Sequence, residues 1–463
     1  MKLRVLAALC SLPALASCAI TPVSLGQPIT EIREGEGYRA ATLLTRKPDD
    51  GILLVLSVSG GGMRSAAFAY GVFEQLAEDR IEHQGRSQRL LDEVDLMSVV
   101  SGGALPTAYY ALYGDRLFED FESRFLYRDL AAGFRRSVLW NPRNWWRLAS
   151  SEFSRGDLYA EYLDRKLFAG ATFADLDRSG QRPFLLINAT DIGLAGRFDF
   201  TQDSFDVLCD DLDSYPLARA VAASSGVPAL LTPITLKNRA GQCGYRQPAW
   251  VDRALTSAGR GSREYFRATI LTGRNDSRRY AYLHLLDGSL SDNLGVRTAL
   301  DVLAAGGDPD GPRDLLASRK FRKIVFLVVN AANSQAELIG GRRQPPDTVD
   351  MLKLLGTVPM DRYTVESRVF LRETLERWVK SVKPGNGTDI DKFLHLIEVD
   401  LGTLEGTRYA RLITLPTTLT ASRQDVDDLR CAARLLLERS QDYRRLLDAE
   451  GGAFTRSSKC PSS

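Results

Sequence analysis

The apolar residues of this chain fall into two rhythms that alternate along its first two thirds. Ile52-Leu53-Leu54-Val55-Leu56-Ser57-Val58 is almost continuously apolar, the pattern of a strand buried on both faces of a parallel sheet. Gly60-Gly61-Gly62 ends that run, and from Met63 to Leu76 apolar residues recur at helical spacing. The stretch therefore predicts strand, glycine turn and helix. The unit returns at Val94 to Val100, followed by Ser101-Gly102-Gly103 and a small-residue helix through about Leu112. Further strands are expected at Phe184 to Ala189, Ala281 to Leu286 and Lys323 to Val329. Strands alternating with helices in this way imply an α/β fold with a mainly parallel central sheet and crossover helices.

Between about 115 and 180 the chain reads as helical and aromatic-rich, with Trp140, Trp145, Trp146 and Tyr159. A cap or an interfacial surface would use such side chains, and so would a core. Beyond about Ser334 the rhythm changes to long amphipathic helices, around Val349 to Val382 and Asp425 to Leu447, separated by a strand at Phe393 to Leu401. This predicts a mostly helical C-terminal extension over 336–463 that packs on the core. No internal repeat interrupts the pattern.

Composition changes the picture little. The 463 residues include 60 basic and 58 acidic side chains, for a net charge of +2, so the totals give no field that would recruit nucleic acid. The N-terminus is more informative. Lys2 and Arg4 precede apolar runs at Val5 to Leu9 and Leu12 to Ala16, too short to span a bilayer and typical of an export signal. Leu15-Ala16-Ser17-Cys18 resembles a bacterial lipobox, which predicts a signal peptide over 1–17 and a lipidated Cys18. Ala19 in place of Asp favours an outer-membrane anchor facing the periplasm. Residues 18–47 then read as a tether, and 48–335 as the main α/β domain.

Setting aside Cys10 and Cys18, four cysteines remain. An even count in an oxidising compartment permits two disulfides. Shortest loop closure pairs Cys209 with Cys243 and Cys431 with Cys460, and four free thiols are the other reading. No Cys/His spacing suits zinc, so no metal site is expected.

The chemistry concentrates at two strand ends. Ser101, at a sharp junction between a buried strand and a helix, has the placement of an exposed nucleophile, and the helix N-terminus behind it favours a developing negative charge. Considered alone, the same pattern also fits a helix-capping serine. Ser59-Gly60-Gly61-Gly62-Met63-Arg64 sits at another strand-to-helix turn and can aim unobstructed N–H groups at an oxyanion. It lacks the Gly-Lys-Ser/Thr of a phosphate-binding loop and the Gly-x-Gly-x-x-Gly spacing of a dinucleotide site. Of the three histidines, His83 lies in a polar segment, His284 inside a strand and His395 in the extension. None recommends itself as a base, although His284 stays open. Asp287, in Leu285-Leu286-Asp287-Gly288-Ser289, stands at the end of a strand, where open α/β sheets gather their functional groups.

Together these blocks resemble the patatin-like phospholipases. Ser59 to Arg64 looks like their oxyanion segment, Ser101-Gly102-Gly103 like their nucleophile elbow, and Asp287-Gly288-Ser289 like their dyad motif. Ala222-Ala223-Ser224-Ser225-Gly226-Val227-Pro228 and Asp292-Asn293-Leu294-Gly295 are similar to two further family segments, in the family's order. Two departures stand out: Val99 replaces the first glycine of Gly-x-Ser-x-Gly, and Ser289 replaces a glycine or alanine. The resemblance implies a three-layer patatin-like fold and a Ser101–Asp287 dyad that hydrolyses lipid esters through an acyl-enzyme. It also implies an oxyanion hole from Gly60, Gly61 and Gly62, and no cofactor. Arg64 is then a candidate for a phosphate headgroup or for an acidic neighbour. The implied partners are a lipid substrate and a membrane reached through the N-terminal anchor. An acyltransferase with the same site and a noncatalytic lipid-binding lipoprotein are the competing readings. The oligomeric state is not legible.

Overall fold

The computed structural model describes residues 26–40, 51–83, 85–177, 183–227, 231–304, 321–331, 341, 343–382, 393–404, 411–456 and 460. The expected signal peptide over 1–17 and the lipidation site Cys18 lie outside the described residues, as does Pro228.

In chain order the principal elements are β1 (Gly51–Val58), α1 (Met63–Glu78), β2 (Val94–Val100), α2 (Ala104–Tyr113), β3 (Phe184–Asp191), β4 (Gly196–Asp199), α3 (Leu217–Ser224), β5 (Ile234–Lys237), β6 (Tyr282–Asp287), α4 (Val296–Leu303), β7 (Phe321–Asn330), α5 (Thr348–Val382), β8 (Leu394–Asp400), α6 (Arg423–Arg439) and α7 (Gln441–Ala449). Strands β8, β7, β1, β2 and β3 pair in that order, all parallel. β4 and β6 pair with β3 antiparallel, and β5 continues from β6, again antiparallel. Every residue of β1, β2 and β3 is buried, as expected where helices cover both faces of a parallel sheet and no alternation is needed. The result is a three-layer α/β fold with a mainly parallel sheet.

The C-terminal segment is built into this core. β8 extends the sheet beside β7, and α6 packs along α1 while α5 packs against α4. Leu371, Trp378, Ile397, Val399, Leu429, Leu437 and Tyr443 belong to the same buried cluster as β1 and β2. The single helix expected from Asp425 to Leu447 is two. Ser440 leaves helical geometry, with φ −68° and ψ 117°, and its hydroxyl caps the N–H of Tyr443. The described part of the tether also lies on the domain: Tyr38 stacks on Phe184 with centroids 4.4 Å apart, and its hydroxyl accepts the N–H of Leu185 at 2.7 Å. Both cysteine pairs are disulfides, Cys209–Cys243 and Cys431–Cys460.

Candidate active site

The strand pairing brings the two expected reactive groups together. Asn188 of β3 pairs with Val100 of β2 on one side and with Asp199 of β4 on the other. One residue further, Ala189 pairs with Asp287 of β6 and with Phe198 of β4. Because β4 holds one edge of β3, β2 and β6 must share the other. They run in opposite directions, so their C-terminal ends meet, one delivering Ser101 and the other Asp287.

Ser101 Oγ donates to Asp287 Oδ2 at 2.9 Å, and both side chains are about 95% or more buried. Ser101 has a φ of +51°, a conformation that costs a non-glycine residue about 1–3 kcal/mol and persists only where its surroundings impose it. Part of that constraint is the N–H of Ser101, which donates to Ser224 Oγ at 2.8 Å. The Ser224–Gly226 turn also holds the aspartate strand: Gly288 N–H donates to the Ser224 carbonyl and Asp287 N–H to the Gly226 carbonyl, each at 3.2 Å. Thr190 Oγ1 donates to the Asp287 carbonyl at 2.8 Å. One turn thus positions both members of the pair. The alanine-serine block was visible in the sequence, but a role that depends on contacts across 123 residues was not.

Asp287 Oδ1 accepts the N–H of Ser289 at 2.9 Å. Burial raises the Asp287 pKa above its ordinary value, and hydrogen bonds from the Ser289 backbone, the Ser289 side chain and Ser101 oppose the rise without cancelling it. A carboxylate in this state is a stronger base than an exposed aspartate and is aimed at a serine hydroxyl. His284 takes no part: it alternates with Leu283, Leu285 and Asp287 along β6, so it faces the other side of the strand, where Nδ1 lies 3.0 Å from Thr235 Oγ1. His395 is buried in β8, and Lys323 and Glu450 are among the charges around it. The side chain of His83 lies outside the described residues.

The glycine loop lies beside Ser101. A Cβ on Gly60 would stand 3.3 Å from Ser101 Cβ, and one on Gly102 only 2.1 Å from the Gly62 carbonyl oxygen, so the two turns touch through backbone. Gly61 and Gly62 have φ of +140° and +61°, which orient their peptide units in a way other residues rarely adopt. The expectation that all three N–H groups face an oxyanion needs one correction. Gly60 N–H donates to the Asn293 carbonyl at 3.1 Å, because the turn after Asp287 folds across it. The N–H groups of Gly61 and Gly62 carry the remaining donor capacity of the loop.

Arg64 is 3% exposed. Its Nε donates to the Ala331 carbonyl at 2.8 Å and its Nη1 to the Leu415 carbonyl, so it ties the first turn of α1 to the end of β7 and to the C-terminal segment. Burial lowers its pKa to about 10, with the charge of Asp361 opposing. Thr418 adds a second tie, its carbonyl accepting Met63 N–H at 2.7 Å. With Nε and Nη1 on backbone carbonyls, Arg64 pins the helix turn that follows the glycine loop. Among the described residues no cluster of His, Cys, Asp or Glu is arranged to hold a metal ion, and no helix is long and apolar enough to cross a membrane.

A family model described as patatin-like phospholipase matches residues 56–300, a span that contains the glycine loop, the elbow and the aspartate turn. The chain belongs to this family. Val99, the departure within the elbow of this patatin-like phospholipase, sits fully buried in β2 and its carbonyl accepts from Asn188 Nδ2 at 3.0 Å. No curated protein is matched. Solved structures with similarity include human GIVD cytosolic phospholipase A2, at 12% identity over 94% of this chain and 68% of that one, with a TM-score of 0.44. The same enzyme in complex with methyl gamma-linolenyl fluorophosphonate and terbium chloride is 14% identical over 89% of this chain and 62% of that one, with a TM-score of 0.39. VipD from Legionella pneumophila is 13% identical over 84% of this chain and 67% of that one, with a TM-score of 0.31.

Proposed function

We propose that this patatin-like phospholipase hydrolyses carboxylic esters of membrane lipids through a Ser101–Asp287 dyad. The observation that carries the reading is the 2.9 Å hydrogen bond from Ser101 Oγ to Asp287 Oδ2 in a buried site. Ser101 Oγ attacks the ester carbonyl carbon while Asp287 takes its proton. The carbonyl oxygen becomes an oxyanion, held by the N–H groups of Gly61 and Gly62 and by that of Gly102, which follows the nucleophile as in other elbows. The tetrahedral carbon then releases the alkoxide, which takes the proton from Asp287, and the acyl group stays on Ser101. Water, deprotonated by Asp287, attacks the acyl-enzyme, and collapse frees the fatty acid and returns the proton to Ser101. The residues suffice without a metal or organic cofactor.

The lipobox at Cys18 extends the proposal to a lipoprotein anchored in the outer membrane and facing the periplasm. Incorporation of labelled fatty acid that Cys18→Ser removes tests the anchor. For the activity, free fatty acid released from mixed phospholipid vesicles is measured for the parent, Ser101→Ala and Asp287→Asn. Release by the parent and by neither variant is expected. Transfer of the acyl group to an added alcohol in preference to water favours the acyltransferase, and a folded parent that neither releases acid nor reacts with a fluorophosphonate is the noncatalytic binder.

A further inference from the structure

The helices Leu130–Leu139 and Pro142–Leu148 carry an unusual surface. Leu139 is 61% exposed, Trp140 82%, Trp145 55% and Trp146 78%. Large apolar side chains exposed together over one short stretch mark an interaction surface. Trp145 is held in place, its indole N–H donating to the Val138 carbonyl at 2.7 Å. From residue 130 to residue 151 the sequence has four arginines and no acidic residue. Arg147 is engaged with Glu161 and lies over the Phe153 ring, which fastens the second helix to the domain. Arg135, Arg136 and Arg143 are exposed and form no ion pair among the described residues.

This surface leads to the reactive site. Phe134, on the first helix, packs against Tyr159 and Tyr162 with centroids 5.5 and 5.8 Å away. Tyr159 is fully buried and close enough to Asp287 for the carboxylate's charge to act on its hydroxyl. Its helix, Arg155–Leu163, packs on α3, which carries Ser224.

We infer that Leu139, Trp140, Trp145 and Trp146, with Arg135, Arg136 and Arg143, form a membrane-docking surface that seats the domain on an anionic lipid bilayer beside the active site. The choice of a bilayer over a protein partner rests on charge and chemistry. Indoles are amphipathic and settle at the level of lipid headgroups, where unpaired cations meet anionic phosphates. The inference deepens the proposed function, since a bilayer is where its substrate resides.

The test uses the chain carrying Ser101→Ala and Cys18→Ser, so that docking is read without turnover and without the proposed lipid anchor, and vesicles of phosphatidylcholine with or without phosphatidylglycerol, their acyl chains brominated. Bromine quenches only indoles that enter the lipid. Of the five tryptophans, Trp250 and Trp378 are buried and supply emission that should persist. Quenching of the remaining emission is expected, stronger with phosphatidylglycerol. Trp140→Ser/Trp145→Ser/Trp146→Ser should partition roughly tenfold or more weakly, since each buried aromatic contributes at least about that factor. Arg135→Glu/Arg136→Glu/Arg143→Glu should lose the preference for anionic vesicles, and an unchanged thermal midpoint shows that each variant is folded. Sedimentation with vesicles without quenching, or equal partitioning of parent and triple tryptophan variant, overturns the inference. So does a concentration-dependent dimer that the tryptophan variant dissolves, which assigns the patch to a second copy. The hydrolase reading is decided separately, by fatty acid release from the Ser101 parent.

Discussion

Replacing the loop glycines one at a time by alanine separates the strain they relieve from the chemistry they serve. Gly62 has φ +61° and ψ −137°, a region costing an alanine about 1–3 kcal/mol. Its new Cβ would lie 2.5 Å from the Thr418 carbonyl oxygen, and backbone cannot rotate aside as a side chain can. Relief requires the loop to part from the C-terminal segment, which breaks the Met63 N–H bond to Thr418, worth about 0.5–1.5 kcal/mol. The sum, roughly 2–4 kcal/mol, leaves a protein of ordinary stability folded, with its midpoint lowered by roughly 2–4 °C in a cooperative unit of this size. Displacing an oxyanion donor should also cost about 100- to 1,000-fold in kcat. At Gly60, whose φ is not positive, the Cβ would meet Ser289 Oγ at 2.2 Å and Ser101 Cβ at 3.3 Å. A hydroxyl can turn away, so Gly60→Ala should lose less than about 1 kcal/mol of stability while disturbing the dyad and slowing the reaction. Calorimetry and ester hydrolysis on the two variants check the ordering. A Gly60→Ala protein less stable than Gly62→Ala, or a Gly62→Ala protein with the parent's midpoint and rate, would refute the packing argument.

The acid limb of the kcat/KM profile should fall at a pH above the ordinary aspartate value of 3.8, because burial raises Asp287 and only its ionised form accepts the serine proton; Ser289→Ala, which removes one opposing hydrogen bond, should move that limb higher still. The folded state holds this proton more tightly than the unfolded chain, so the contribution of Asp287 to stability is full below pH 3.8 and is lost as pH rises through its folded pKa. Asp287→Asn should accordingly match or exceed the parent's thermal midpoint at neutral pH while releasing no fatty acid. Truncation after residue 335 removes Leu371, Trp378, Ile397, Val399, Leu429, Leu437 and Tyr443 from the core, roughly 10–20 kcal/mol of burial against a typical total stability of about 5–15 kcal/mol. The truncated chain should be insoluble or lack cooperative unfolding, and a soluble, active product would overturn the continuity of the core. Reduction of Cys209–Cys243 and Cys431–Cys460, which close separations of 34 and 29 residues, should lower stability by about 3–4 kcal/mol per bridge in the loop-entropy account, read as a shift of the urea midpoint.

What the sequence conveyed was local. The unbroken apolar runs of β1 and β2 and the glycines behind them are set by burial on both faces and by turn geometry, so the strand-turn-helix units and the positions of Ser101 and Asp287 could be read directly. The direction of β6 could not, because an apolar strand reads the same whether it runs parallel or antiparallel; yet that reversal is what points Asp287 at Ser101. The short strands β4 and β5 carry too few residues to declare a period. Long-range backbone contacts were equally silent: nothing near Gly60 shows that its N–H is taken by Asn293, and nothing near Arg64 shows that its partners are the carbonyls of Ala331 and Leu415. The C-terminal strand was legible as a strand, but its place beside β7 depends on pairing across a separation of about 70 residues. The tryptophans at 140, 145 and 146 left core and surface open, since aromatic content alone does not say which side of a helix faces the solvent.

The measurement that bears most directly on the central claim is peptide mass spectrometry of the protein quenched in acid during turnover of phospholipid. The account predicts one acyl adduct, on the peptide containing Ser101, absent from Ser101→Ala and from Asp287→Asn. Release of fatty acid by Ser101→Ala at the parent's rate, with no adduct at residue 101 in the parent, would contradict it.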